Sequence, residues 1–313
     1  MTKKTKEKER DPADYIVPLA IGGLEGRMLH VPAPENKQRE ILFVYGHHSS
    51  LERWWGLMQV LNEFGSVTMP DLPGFGGMDS FYKINQKPTI DNLADYLAAF
   101  LKWRYKRKRV TIAGMSFGFV VATRMLQRYP ELTKKVEMLV SIAGFAHRDD
   151  FILPRKNYLF YLYSSRIVQH RLPAGIFKMI ALNPLVLRAV YKHSNNEKFK
   201  GAKTDSKKFD ELVKVEVRLW RINDVRTAMK TSADFLRLDN CRVPVDLPIY
   251  HIAIVGDRYF DNLKVEQHFR IIFNDFTVLA ELDLVNHAPS VVATAEEAAP
   301  FVPPELRRLL DQL

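Results

Sequence analysis

The chain has 313 residues, 47% hydrophobic and 11% aromatic, which is enough apolar material for a full core and too much for a disordered polymer. Its one cysteine, Cys241, excludes a disulfide framework and a thiolate-based zinc site, and it fits a reducing, cytoplasmic setting. No apolar run reaches the roughly 18 residues of a membrane span, and the N-terminus lacks the apolar stretch of a signal peptide.

The formal net charge is +10, from 46 Lys and Arg against 36 Asp and Glu. Residues 151–245 hold 19 of the basic and 8 of the acidic side chains, a net +11, so the rest of the chain carries −1. No zinc finger, RNP motif or basic zipper accompanies this block, and no nucleic-acid partner is expected.

In chain order, residues 1–14 are charged or small without an apolar period and are expected to form a disordered basic tail. The segment YIVPLAIGGLEGRMLHV reads as a hairpin turning near Gly22 and Gly23. Strand patterns follow at 41–45, 66–70, 109–114, 137–144, 249–255 and 276–282. Helical spacing separates several of them. Residues 89–105 open on Thr89 as an N-cap, and residues 117–130 stop at Pro130. This alternation predicts an α/β fold: a mostly parallel twisted sheet of about eight strands with helices on both faces. Residues 147–245, basic, aromatic and mostly helical, interrupt it as an inserted helical cap. The core is then 15–146 together with 246–313.

One run carries the chemistry. A β-type segment ends in Gly114-Met115-Ser116-Phe117-Gly118 and a helical pattern begins at once. A serine at such a turn is exposed at the carboxyl edge of a sheet, and the glycines admit close backbone neighbours. Ser116 is therefore the expected nucleophile. It needs a histidine base and an orienting acid, downstream in the order Ser, acid, His. His287, in the loop LVNHAPS after the last strand, fits the base. His47 and His48 precede the serine, and His30, His147, His170, His193, His251 and His268 fall in elements or in the cap. For the acid, Asp257 directly after the strand IYHIAIVG is favoured, because a strand tip holds a carboxylate rigidly. Asp261, and Asp149 or Asp150 after the preceding strand, remain alternatives. Oxyanion donors are expected from the backbone N–H of Phe117 and of His47, the latter in the loop that Gly46 lets leave its strand sharply.

These residues resemble the α/β-hydrolase superfamily from about residue 15 to the C-terminus. The resemblance is carried by YGHHSSLERW, MPDLPGFGGMDSF, GMSFGF and NHAP. It is similar in shape to the esterase, monoacylglycerol lipase and C–C hydrolase branches, which implies a helical lid, no metal and no organic cofactor. Tyr45 stands where the family usually has His before the glycine, and Phe119 where a second glycine commonly follows the elbow. The usual acid motif is disturbed, but Asp257 falls in register if Ile254 takes the glycine's place.

The expected activity is hydrolysis of a carboxylic ester, including lipid acyl esters, through an acyl-serine. C–C or amide cleavage with the same triad, and an inactive binding module of this fold, are the alternatives. The cap mixes aliphatic, aromatic and basic residues. That composition suits a lid over the pocket and also an interfacial surface meeting an anionic membrane, with Lys198, Lys200 and Lys203 as contributors.

Overall fold

The computed structural model describes residues 10–193, 206–284, 286–290 and 293–312; Lys198, Lys200 and Lys203 lie outside them. Residues 10–14, expected in the disordered tail, are instead attached to the domain. Asp11 caps a 3-10 turn at Pro12–Tyr15 by accepting from the Ala13 amide at 2.9 Å. Arg10 donates to Asn62 at 3.2 Å, its carbonyl accepts from Trp55 Nε1 at 3.1 Å, and Tyr15 stacks on Trp55. An aromatic pair thus anchors a segment whose composition alone reads as solvated.

The hairpin joins β1 (Ile16–Ile21) to β2 (Leu24–Val31). Ile21 pairs with Leu24, leaving Gly22 and Gly23 alone in the turn with φ of 59° and 80°. Two left-handed residues match the right-handed twist of the strands, and glycine takes that conformation without a Cβ penalty.

The remaining strands are β3 (Arg39–Val44), β4 (Gly65–Pro70), β5 (Val110–Met115), β6 (Val136–Ile142), β7 (Ile249–Ile254) and β8 (Phe276–Leu282). They form one sheet in the order β1-β2-β4-β3-β5-β6-β7-β8. β2 runs antiparallel to β1 and to β4, and every other pair is parallel. β3, β4 and β5 are buried along their whole length. That is why they read as near-continuous apolar runs rather than as alternating ones. From β3 the chain moves to β4 on one side, while β5 lies on the other. Such a reversal opens a crevice at the carboxyl ends of the strands, where ligands of open α/β sheets bind.

Helix α1 (Trp55–Asn62) links β3 to β4, and α2 (Ile90–Arg104) precedes β5. Thr89 caps α2 by accepting from the Asn92 amide at 3.1 Å. After β5 comes α3 (Phe117–Arg128), which ends two residues before Pro130. Among the described residues, five α-helices lie between β6 and β7: α4 (Arg155–Val168), α5 (Arg171–Ala181), α6 (Pro184–His193), α7 (Ser206–Ile222) and α8 (Val225–Phe235). Leu187, Phe209, Leu212, Val213 and Val217 form a small apolar cluster of their own within this insertion, apart from the main core. The chain closes with α9 (Asn262–Ile272), α10 (Ala295–Ala298) and α11 (Pro304–Asp311). Among the described residues, no helix is long and apolar enough to cross a membrane.

His251, in the middle of β7, is a core residue. Its Nδ1 lies 3.0 Å from Ser141 Oγ, its Nε2 is buried without a partner, and its ring packs edge-on to Phe269. Burial pushes its pKa from 6.5 down to about 4. Between those two values the unfolded chain binds a proton that the folded one refuses, so stability is full above about 6.5 and is lost as pH falls toward 4. His251→Asn keeps a hydrogen-bonding group near the Nδ1 position and cannot titrate. It is expected to make the fall in melting temperature between pH 7 and pH 4.5 shallower, read by calorimetry across that range; an unchanged slope would remove His251 from the acid response.

Candidate active site

Ser116 sits between β5 and α3 with φ 51° and ψ −117°, a conformation that costs an L residue of the order of 1–3 kcal/mol. Its surroundings hold it there. A Cβ on Gly114 would meet Phe119 Cα at 2.6 Å, and one on Gly118 would meet the Val44 carbonyl oxygen at 2.0 Å. The first turn of α3 is therefore pressed between its own strand and the end of β3. The Ser116 amide donates to the carbonyl of Ile142, the last residue of β6, at 3.0 Å. Phe119, in place of a glycine, fills the space beneath the elbow against Phe269 and Phe273.

Phe117 opens α3, so its amide is one of the helix's unpaired N-terminal donors. The loop after β3 brings Gly46 alongside, where a Cβ would stand 3.6 Å from Ser116 Cβ. The backbone amides of Phe117 and His47 have no acceptor among the described residues. The His47 side chain is occupied elsewhere. Its Nε2 donates to the Ala228 carbonyl at 3.1 Å and lies 2.8 Å from Thr231 Oγ1, and its ring packs edge-on to Phe75, Phe117 and Phe235. Burial lowers its pKa to about 3, so it stays neutral. It thus ties the loop after β3 to α8. His48, at φ 53°, places Nδ1 3.2 Å from the Asn223 amide nitrogen.

Asp257 lies three residues beyond the end of β7 and is almost fully buried. Oδ1 accepts from the Tyr259 amide at 2.7 Å, an Asx turn that orients the carboxylate, and Oδ2 meets His287 Nδ1 at 2.5 Å. With Nδ1–H donating to the carboxylate, Nε2 is left as the basic nitrogen. The rings of Tyr259 and Phe260 flank the imidazole at 5.2 and 5.3 Å. Ser116 and His287 line one cavity of about 660 Å³, without a hydrogen bond between them. In catalytic sites that bond commonly tightens only with substrate in place.

The competing acids are placed away from His287. Asp261 caps α9 through the Lys264 amide, and Asp149 is exposed beside Arg148. Asp150 is fully buried, accepts from the Ala146 and His147 amides at 2.8 and 2.9 Å, and pairs with His268 at 2.5 Å. That second buried Asp–His pair had no sequence signal, since its partners are 118 positions apart. A further element missing from the sequence reading surrounds Asp71 of the DLPGFGG loop. Tyr45 donates to its Oδ1 at 3.0 Å and accepts from the Leu72 amide at 2.8 Å, while Arg27 pairs with its Oδ2 at 3.1 Å. The tyrosine that departs from the family pattern is what joins the loop after β3 to the one after β4.

The sequence profile described as the alpha/beta hydrolase fold matches residues 41–278, and the chain belongs to this family. Over 122 residues it is 28% identical to the biotin biosynthesis bifunctional protein BioHC of Teredinibacter turnerae, covering 37% of this chain and 19% of that protein. Over 100 residues it is 32% identical to the protein ABHD8 of Homo sapiens, covering 32% and 22%. The matched stretch is thus about a fifth of either relative's length. Among solved structures, a hydrolase from Oleispira antarctica superposes with a TM-score of 0.61 at 12% identity, over 91% of this chain and 94% of that one. A thermophilic esterase from Thermogutta terrifontis gives 0.58 at 15%, over 95% and 96%. At these identities the likeness is one of fold.

Asp257→Asn is expected to lower turnover of a p-nitrophenyl ester at least about 100-fold, since an amide can neither fix the imidazole tautomer nor stabilise its cation. Asp261→Asn should stay within about threefold, and Asp150→Asn should show first as a lower melting temperature. A larger kinetic loss from Asp261→Asn than from Asp257→Asn would reverse the assignment.

Proposed function

We propose that this protein is a serine hydrolase that cleaves a carboxylic ester through an acyl-serine intermediate. The observation that carries the reading is that His287, paired with Asp257, lines the same cavity as a serine held at positive φ. Ser116 Oγ attacks the ester carbonyl carbon as its proton passes to His287 Nε2, and Asp257 stabilises the imidazolium. The Phe117 and His47 amides receive the developing oxyanion, aided by the positive end of α3. Collapse releases the alcohol with the proton from His287, and water attacks the acyl group by the same route in reverse. Phe145, Phe151, Phe235 and Phe260 form an aromatic wall suited to an acyl chain. A cavity of about 660 Å³ falls within the usual range for small-molecule sites.

Ser116→Ala and His287→Ala are each expected to lower ester kcat at least about 10³-fold with little change in melting temperature. A fluorophosphonate probe should label Ser116. Labelling of Ser116→Ala at wild-type strength would remove this serine from the mechanism, and an unlabelled wild-type protein would favour a binding module.

The helical insertion supports a second element of the reading, peripheral contact with an anionic membrane. Phe160, Ile167, Leu172, Met179 and Leu185 of α4–α6 are 61–81% exposed. Residues 151–193 contain seven Lys and Arg and no Asp or Glu. An apolar surface rich in basic side chains, of which Arg188 is paired with Asp210, matches the interface of an anionic bilayer, where burial and electrostatic attraction act together. The protein should co-sediment with phosphatidylglycerol-containing vesicles at low salt and dissociate as salt shortens the Debye length below about 8 Å. Leu172→Ser with Met179→Ser should abolish binding. No co-sedimentation of the wild type at low salt would leave the insertion as a lid alone.

A further inference from the structure

The charged side chains at the cavity wall are unevenly paired. Arg53, from the turn before α1, lines the cavity beside Trp54, with its guanidinium 5.1 Å from the Trp54 ring. Arg53 Nε is buried without a hydrogen-bond partner, and Glu216 of α7 is the carboxylate that acts on the Arg53 guanidinium electrostatically. Every other arginine near this loop is engaged: Arg27 and Arg218 both pair with Glu52. Arg258, on the Asp257 loop, also lines the cavity outside any ion pair. Its Nη2 donates to Tyr259 Oη at 3.1 Å and its guanidinium lies over that ring. Tyr259 in turn packs edge-on to His287. Two guanidinium groups therefore line the cavity that holds the proposed base, and that of Arg258 lies over the aromatic ring beside it.

Glu216 of α7 is the one carboxylate lining the cavity among the described residues and offsets part of this charge. His47 is neutral, so the balance at the wall stays positive. A desolvated guanidinium with open donors is costly unless an anion meets it, and its planar fork suits the two oxygens of a carboxylate or phosphate. The same cavity carries the aromatic wall on its other elements.

We infer that Arg53, assisted by Arg258, forms an anion subsite, and that the substrate is an amphiphilic acyl ester bearing a carboxylate or phosphate near the scissile bond. This rests on the serine-hydrolase reading for the reaction but not for the binding of the anion. Weaker binding of uncharged esters, seen as a higher KM, would follow, because they offer the Arg53 guanidinium no counter-charge.

The test is protection of Ser116 from a fluorophosphonate probe by hexanoate, hexyl phosphate and 1-hexanol at pH 7.5. At least one anion should protect at concentrations about tenfold or more below those needed of hexanol, the margin expected of a charge-assisted hydrogen bond. Comparison of hexanoate with hexyl phosphate identifies the anion. Arg53→Gln should abolish the margin and Arg53→Lys should retain part of it, while a fold defect would show in circular dichroism of both. Equal protection by hexanol, or a margin that survives Arg53→Gln, would overturn the subsite. If the probe does not label Ser116, the hydrolase reading fails separately, and titration calorimetry of hexyl phosphate and hexanoate against wild type and Arg53→Gln decides the anion site. Binding lost in Arg53→Gln supports it, and absent or unaltered binding refutes it.

Discussion

The backbone of Ser116 is the constraint on which the site depends. A serine at φ 51° survives only where its neighbours leave no other path for the chain. Here the fit is set by two glycines: Gly114 beneath Phe119, and Gly118 against the last carbonyl of β3. These contacts bring α3 so close to β3 and β5 that its first amide and the loop after β3 face the same point. The strand order makes this possible, because β3 and β5 are neighbours while the chain between them passes through β4. The elbow and the expected oxyanion loop are consequences of one packing decision at the carboxyl edge of the sheet.

Two polar clusters hold the surrounding loops. Asp71 is buried and ringed by Arg27, Tyr45 and the loop turning at Gly76, where a Cβ would lie only 1.7 Å from its Oδ1. Asp150 does similar work after β6, taking two backbone amides and His268. Each is a buried carboxyl held by hydrogen bonds, and at Asp71 burial outweighs them and pushes its pKa well up. Asp257, after β7, uses the same chemistry to aim an imidazole at the cavity.

The insertion between β6 and β7 contributes walls to the cavity through Tyr161, Ser165, Leu212, Glu216, Ser232 and Phe235. His47 joins it to the core by its bond to α8. Its outer helices carry exposed apolar side chains among basic ones, of which Arg188 pairs with Asp210, whereas its inner face meets the aromatic wall. The charge block seen in composition is thus a surface property, and the arginines that matter to the proposed subsite come from the core loops outside it.

The sequence by itself determined the strands, the hairpin and the elbow, because each depends on local physics: apolar runs where both faces are covered, Gly-Gly where the turn is left-handed, and Gly-x-Ser-x-Gly where strand gives way to helix. It also singled out His287 by position and ranked Asp257 first. It left Asp257, Asp261, Asp149 and Asp150 open, since carboxylates near strand ends look alike until their partners are known. Only the tertiary structure separated them, by assigning Asp261 to a helix cap and Asp150 to His268 and leaving Asp257 to meet His287. The attachment of residues 10–14, the role of Tyr45 and the placing of Arg53 and Arg258 on one cavity were decided in the same way. Hydrogen-bond partners and shared cavity walls are set by distances in space between residues far apart in the chain, and no local pattern encodes them.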